Sequence, residues 1–320
     1  MIQYLVILLD DTSVSYCHAD NTNTKPYLMP LDTLRAGIHE AMRQNWMIQF
    51  VYPAYDLPQE YHEVINTIDH HNIMPAVAEC QQIGENADVL VYNGLFRLEK
   101  DVETPIVLRI GKEALFAAAE EVCGIMEHVS RLNIVITDLE TFTDSDMERY
   151  KTFLATVSEK VKALYLSGKT PQLNLLTDRI MLSKPNHCGA GVENITLAPN
   201  GKFYICPAFY YNNPDDSVGD ITEFHETSEL QILNQQLLRL DHAPLCRHCD
   251  AYHCRRCVWL NRKTTLEVNT PSREQCVVAH TEREASRQLF NAIREKAEFM
   301  PETEIKELNY TDPFEVRKEW

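Results

Sequence analysis

Along the first 180 residues, short apolar runs alternate with stretches whose apolar positions recur every three or four residues. The runs Gln3–Leu9, Met47–Tyr52, Ala87–Tyr92, Pro105–Ile110 and Asn133–Asp138 read as strands. Between them Leu34, Ile38 and Met42 share one helical face, and Leu115, Ala119 and Val122 are in phase in a second helix over Glu113–Val129. A third helix opens at Thr143-Asp-Ser-Asp146, where a hydroxyl and a carboxyl three residues apart form a capping box, and continues to Leu166. Near-continuous apolar strands separated by helices predict a parallel sheet covered by helices, open or curled toward a barrel.

From about Pro185 the pattern breaks into short strands among cysteine, glycine, proline, asparagine and histidine. Ile195–Ala198 and Phe203–Cys206 flank Pro199-Asn200-Gly201, a hairpin signal. Helices are predicted over Ser228–Leu240 and Thr281–Glu295, and the last twenty residues are polar and predicted to be loose. Residues 1–182, 183–280 and 281–320 therefore read as a front α/β domain, a cysteine-rich domain, and a helix with a tail.

Charge narrows the partners. Acidic residues outnumber basic ones 47 to 30, a formal charge of −17. Such a surface repels phosphate backbones and anionic lipid, so neither nucleic acid nor membrane is the expected partner. The apolar run at Ile2–Leu9 has no basic stretch before it and stops at Asp10-Asp11, so it is expected to be a buried strand in a cytoplasmic protein. In a reducing compartment, ten cysteines argue for metal or redox chemistry before disulfides.

Seven of those ten lie between Cys188 and Cys276: Cys188, Cys206, Cys246, Cys249, Cys254, Cys257 and Cys276. The dense part reads Cys246-Arg-His-Cys249-Asp-Ala-Tyr-His-Cys254-Arg-Arg-Cys257. A Cys-x-x-Cys turn lets two sulfurs converge on one ion or cluster, and the interspersed arginines favour thiolate over thiol. Zinc is the rival metal. Zinc ribbons separate their pairs by a long loop, whereas four residues separate them here and three further cysteines await partners, which favours iron–sulfur clusters.

The spacing Cys188, twelve residues, Gly201, four residues, Cys206, followed by the compact run and Cys276, resembles the SPASM domain. That domain is the auxiliary-cluster extension of radical S-adenosylmethionine enzymes that mature peptides. The Gly201 hairpin and Ser217-Val-Gly-Asp-Ile221 fit it as well. The family run is usually C-x2-C-x5-C-x3-C, and here it is C-x2-C-x4-C-x2-C. By position, the resemblance implies that Cys246, Cys249, Cys254 and Cys276 ligate one 4Fe–4S cluster, and that Cys188, Cys206 and Cys257 give three ligands to a second. A further ligand such as His187 completes the second set, or one iron is open to a substrate thiolate.

The front half resembles the radical S-adenosylmethionine partial (β/α) barrel but departs from it at its signature. Those enzymes bind their catalytic cluster through C-x3-C-x2-C after the first strand. With Cys17 as the third ligand, Asp10 and Val14 stand where the other two cysteines belong, and Tyr52-Pro53-Ala54 stands where a glycine-glycine-glutamate stretch is expected. Leu5-Val-Ile-Leu-Leu-Asp10, Ser15-Tyr-Cys17-His18 and Phe50-Val-Tyr-Pro53 make the whole chain most similar to the CXXX repeat peptide maturases. The resemblance implies maturation of a ribosomally made, cysteine-rich peptide without S-adenosylmethionine cleavage, or a peptide-binding scaffold for a partner radical enzyme, with clusters or zinc serving only to fold the module.

Other positions carry competing readings. Asp138, at the carboxyl end of a strand, suits a general base or a helix cap, and Arg109 a carboxylate clamp or an ion pair. His70-His71 is placed on a helix, where adjacent residues point apart and do not share an ion. Cys80 and Cys123 read as small buried hydrophobes. Cys17, with His18 beside it, is the isolated cysteine with a positional argument for function. No His-Glu-x-x-His pattern supports a zinc hydrolase.

Overall fold

The computed structural model describes residues 2–76, 86–223, 230–308, 310 and 312–314. Cys80 and the start of the helix expected at Ser228 lie outside them. Ten strands are present among the described residues: β1 Tyr4–Leu8, β2 Met47–Val51, β3 His70–Pro75, β4 Val89–Asn93, β5 Ile106–Ile110, β6 Arg131–Ile136, β7 Gln172–Leu173, β8 Asn194–Leu197, β9 Lys202–Tyr204 and β10 Gly219–Asp220. The chain divides into two compact units, residues 1–92 with 189–244, and residues 93–188 with 245–320.

In the first unit the strands lie in the order β10, β9, β8, β1, β2, β3, β4. The strands from β8 to β4 pair in parallel, and the two outer ones antiparallel. β1 sits between β2 and β8, so nearly every one of its side chains is buried, which is why it reads as an unbroken apolar run. Leu5, Ile7 and Leu9 meet Leu34, Ile38 and Ala41 of the helix Leu31–Gln44, together with Phe50, Tyr61, Ile65, Leu197 and Phe203. Full burial of such aliphatic side chains stabilises by about 1.5–3 kcal/mol each. The helix crosses close to the sheet at Gly37, where a Cβ would stand 2.5 Å from Leu197 Cδ2. It ends on Asn45 in the left-handed conformation, φ 58°.

The second unit pairs β5, β6 and β7 in parallel. The long helix Asp144–Leu166 opens on the predicted capping box: Thr143 Oγ1 accepts from Asp146 N–H, and the Asp146 carboxylate accepts from Thr143 N–H. Tyr150 and Phe153 stack on that helix, and Phe142 meets Tyr150 edge-on. The second long helix runs Arg273–Arg294 and opens on its own capping box between Ser272 and Gln275. No helix among the described residues is long and apolar enough to cross a membrane.

Several expectations need correction. His70 and His71 open strand β3 and are not helical; His70 is held by Ile68 O at 2.8 Å and sits edge-on to Phe50. Met42 turns outward, 64 % exposed, so only Leu34 and Ile38 of the predicted face are buried. The helix predicted over Glu113–Val129 is two, Lys112–Ala117 and Ala119–Met126, because Ala118 leaves helical geometry at φ −112°. Residues 230–240 form no α-helix. Asn234 adopts φ 50°, and only the 3-10 turns Gln235–Leu238 and Leu240–His242 follow. The last long helix starts eight residues before the expected Thr281.

The predicted hairpin is present. β8 and β9 pair antiparallel across Pro199-Asn200-Gly201, with Gly201 at φ +78° donating its N–H to Ala198 O.

Candidate metal centre

Six of the seven clustered cysteines lie in the second unit: Cys188, Cys246, Cys249, Cys254, Cys257 and Cys276. Cys206 lies in the first, just before the helix Pro207–Asn212. None of the nine described cysteines is joined in a disulfide.

The run 246–257 is a chain of tight turns. Cys249 N–H bonds Cys246 O at 3.0 Å, and Cys254 N–H bonds Ala251 O at 2.9 Å. The turns leave little chain between one cysteine and the next. Cys257 ends the run and caps the helix Val258–Thr265, its Sγ accepting Leu260 N–H at 3.5 Å. A sulfur there sits at the positive end of a helix, which favours thiolate.

The helix Arg273–Arg294 supplies the rest. Cys276, His280 and Arg283 are spaced four and three residues apart, so they line one face. Two residues of that face meet the cysteine run directly. His280 Nε2 stands 3.5 Å from Cys249 Sγ. Arg283 holds Asp250 through Nε at 2.7 Å and Nη2 at 2.6 Å, and Arg179 Nη2 joins the same carboxylate at 3.2 Å. Those guanidiniums hold the Asp250 carboxyl below its ordinary value even though partial burial opposes them.

Electrostatics gather four thiols. Burial pushes Cys276 upward, and Cys254, Cys246 and Cys249 push it further. Cys254 is raised to about 12 by burial, with Cys246 and Cys249 adding to it. Burial takes Cys246 to about 11, partly offset by Arg256, and raises Cys249, partly offset by the Ala251 N–H. The four that influence one another are Cys246, Cys249, Cys254 and Cys276. Without metal they are neutral thiols at pH 7 and poor nucleophiles. A metal would convert them to thiolates and release their protons.

Arg256 is buried at the left-handed φ of 45°, and its guanidinium lies in electrostatic range of Cys246, Cys188 and Cys254. A buried cation among sulfurs suits a thiolate-bound group of net negative charge. Among the described residues, no three histidine, cysteine or acidic side chains stand in a ready-made single-ion geometry. The donor set, its burial and the neighbouring cation nevertheless fit a thiolate-ligated metal.

The histidines on the run were missed in the sequence. His253 is buried with Nε2 3.2 Å from Glu282 Oε2, and Tyr150 donates to Glu282 Oε1 at 2.6 Å. Placing the helix start at Thr281 hid the signal, because Cys276, His280 and Arg283 then do not read as one face.

The front loop is held by hydrogen bonds within it and by two tyrosines from elsewhere in the chain. Asp10 Oδ1 accepts Thr12 N–H at 2.8 Å and the Thr12 hydroxyl, while Oδ2 accepts Tyr55 Oη at 2.8 Å. Asp11 takes the Tyr210 hydroxyl, and burial raises its carboxyl despite that bond. Val14 is buried, and Cys17 Sγ lies 3.7 Å from Ser15 Oγ.

Asp138 serves as an anchor. Its Oδ1 accepts Lys112 N–H at 2.8 Å at the start of the helix Lys112–Ala117, the preceding helix rather than the following one. Arg109 is buried and donates to Asn93 Oδ1 at 2.8 Å. Cys123 is buried on the helix Ala119–Met126, as expected of a small hydrophobe.

No family model and no curated protein sequence matches the chain. Its fold does match solved structures. Against anSMEcpe with bound AdoMet the TM-score is 0.63 at 14 % identity, covering 93 % of this chain and 96 % of that one. Against anSMEcpe with bound AdoMet and Cp18Cys peptide it is 0.61 at 14 % identity, covering 92 % and 100 %. The chain therefore has the fold of anSMEcpe.

Proposed function

We propose that this chain takes part in maturing a ribosomally synthesised, cysteine-rich peptide of the CXXX-repeat kind. It would carry two SPASM-type 4Fe–4S clusters on Cys188, Cys206, Cys246, Cys249, Cys254, Cys257 and Cys276, and would not cleave S-adenosylmethionine. The observation that carries the reading is the helix face on which His280 meets Cys249 and Arg283 holds Asp250, with Cys276 on the same face in electrostatic range of Cys246, Cys249 and Cys254. The fold of anSMEcpe, a protein solved with a peptide bound, supports a peptide as substrate.

When bound, the clusters would supply thiolate-ligated irons able to pass single electrons. The chain's own residues do the rest. Arg256 offsets the thiolate charge from inside the run. Arg283 and Arg179 hold Asp250, and with it the turn that carries Cys249. The Cys249 sulfur accepts the Ala251 N–H and lies against His280 Nε2, each at 3.5 Å.

The absence of S-adenosylmethionine cleavage rests on Asp10 and Val14. A buried valine offers no ligand, and the Asp10 carboxylate already takes donors from Thr12 and Tyr55. The solved relatives weigh the other way, because anSMEcpe holds AdoMet. The same two residues favour a second reading, a peptide-binding scaffold for a partner radical enzyme.

Anaerobic purification followed by iron, sulfide and zinc counts tests the metal. About eight irons with matching sulfide sustain two clusters, and zinc without sulfide leaves the scaffold. Incubation of the reconstituted protein with S-adenosylmethionine and reductant tests the front loop. Release of 5′-deoxyadenosine would overturn the claim that it is inactive.

A further inference from the structure

We propose that His187 is a metal ligand through Nε2, a nitrogen donor to the metal that Cys188 helps to bind. The inference rests on the thiolate–metal reading above and names a ligand beyond its seven cysteines.

The segment holding His187 is laid along the cysteine run by three consecutive contacts. Asn186 N–H bonds Tyr252 O at 2.9 Å, His187 Nδ1 meets Cys254 O at 3.1 Å, and Cys188 N–H bonds Arg255 O at 3.2 Å. The ring is thus held against the backbone of one candidate ligand, Cys254, with another, Cys188, as its chain neighbour.

The middle contact fixes the tautomer. A backbone carbonyl only accepts, so Nδ1 carries the hydrogen and Nε2 carries the lone pair. Nε2 is buried and has no hydrogen-bond partner. A buried acceptor with nothing to accept is destabilising, and binding a metal removes that cost. Donation from the far ring nitrogen to a backbone carbonyl is also how metal-bound imidazoles are oriented and made more basic.

The other histidines near the run are differently placed, His248 being exposed. His280 already directs Nε2 at Cys249 Sγ, and His253 directs Nε2 at Glu282. His187 combines a fixed tautomer, a buried free lone pair and a cysteine as its chain neighbour. As a ligand it takes the coordination position that would otherwise be open to a substrate thiolate, so that metal is closed to the peptide.

The test uses the full-length protein, reconstituted anaerobically with its histidines labelled with 15N, reduced, and read by pulsed electron paramagnetic resonance. A strongly coupled 15N on one cluster is expected in the wild type. It should be absent in His187→Cys, a variant that keeps full iron and sulfide because sulfur replaces nitrogen. His187→Ala should lose one cluster's iron, and a cysteine peptide added to the wild type should leave the coupling in place. A wild type without strongly coupled nitrogen, coupling that survives in His187→Cys, or coupling displaced by the peptide each overturns the assignment. Protein that holds zinc and no sulfide overturns the cluster reading instead. Zinc-edge absorption then decides for His187: a nitrogen scatterer lost in His187→Cys sustains it, and an all-sulfur shell refutes it.

Discussion

Asp250 is the point where charge, rather than sulfur, ties the cysteine run to the helix Arg273–Arg294, and Asp250→Asn tests how much that tie is worth. The carboxylate receives three N–H groups, two from Arg283 and one from Arg179, at 2.7, 2.6 and 3.2 Å. The two arginine side chains are 1 % and 6 % exposed, and the carboxylate 30 %. Asparagine keeps the shape, removes the charge, and turns one acceptor into a donor facing guanidinium donors.

Breaking a buried ion pair costs about 3–5 kcal/mol, because the surviving charge stays buried without compensation. Water reaches this carboxylate, which places the expected loss at the low end, about 3 kcal/mol. The assay is hydrogen exchange by mass spectrometry on the anaerobic, metal-loaded protein at pH 7. A loss of that size corresponds to roughly a hundredfold faster exchange in peptides from the helix Arg273–Arg294. Asp241→Asn is the control. The Arg239–Asp241 pair is 58 % and 66 % exposed, and its loss is expected to change exchange by less than about threefold. Acceleration below about fivefold in Asp250→Asn would refute the claim that this carboxylate locks the run to the helix.

Three further outcomes are expected. Asp146 is held at about 2, chiefly by Lys112, against an ordinary 3.8, so the stability it contributes is complete above about pH 4 and drains away as the pH falls toward 2. An acid titration followed by circular dichroism should therefore be shallower over that window in Asp146→Asn than in the wild type. Ser272→Ala removes the capping acceptor of Gln275 N–H and should cost about 1 kcal/mol, seen as faster exchange in the first turn carrying Cys276. Gly37→Val drives a side chain into Leu197 and should lower the urea midpoint by the equivalent of about 1–3 kcal/mol, with an unchanged midpoint counting against the close helix–sheet approach.

In the first unit β1 was legible because it is buried along nearly its whole length, which leaves no polar positions to blur the apolar run, and β2 was legible despite Gln49 because Ile48, Phe50 and Val51 are buried around it. β3 was not. Its His-His-Asn start places polar residues in a strand whose apolar part is only Ile73-Met74-Pro75. The capping box at Thr143 was legible because its two side chains act locally on their own backbone. Asn234 ended the expected helix by adopting φ 50°, and a sequence pattern does not report which asparagine does so.

At the centre, the thiols were legible as residues, while their supports were not. Arg283, Arg179 and Asp250 form one unit from three distant parts of the chain, 179, 250 and 283, and no local spacing marks it. Asp138 was legible as a helix anchor, though the helix it anchors begins 26 residues earlier in the chain.

Two loops of this chain make opposite uses of the same kind of residue. After β1, the Asp10 carboxylate is engaged by Thr12 and Tyr55, Val14 is buried, and Cys17 faces a serine hydroxyl, so these three positions are either engaged or apolar. In the run 246–257 the acid, Asp250, is turned toward arginines, while its neighbours Cys246, Cys249 and Cys254 lie in electrostatic range of one another and of Cys276. The first loop thus presents engaged or apolar side chains, and the second presents thiols in electrostatic range of one another. Replacing Val14 with cysteine alone would not make the first loop an iron site, because Asp10 would remain bound to Thr12 and Tyr55. Only a change that frees both positions would offer three ligands to an iron.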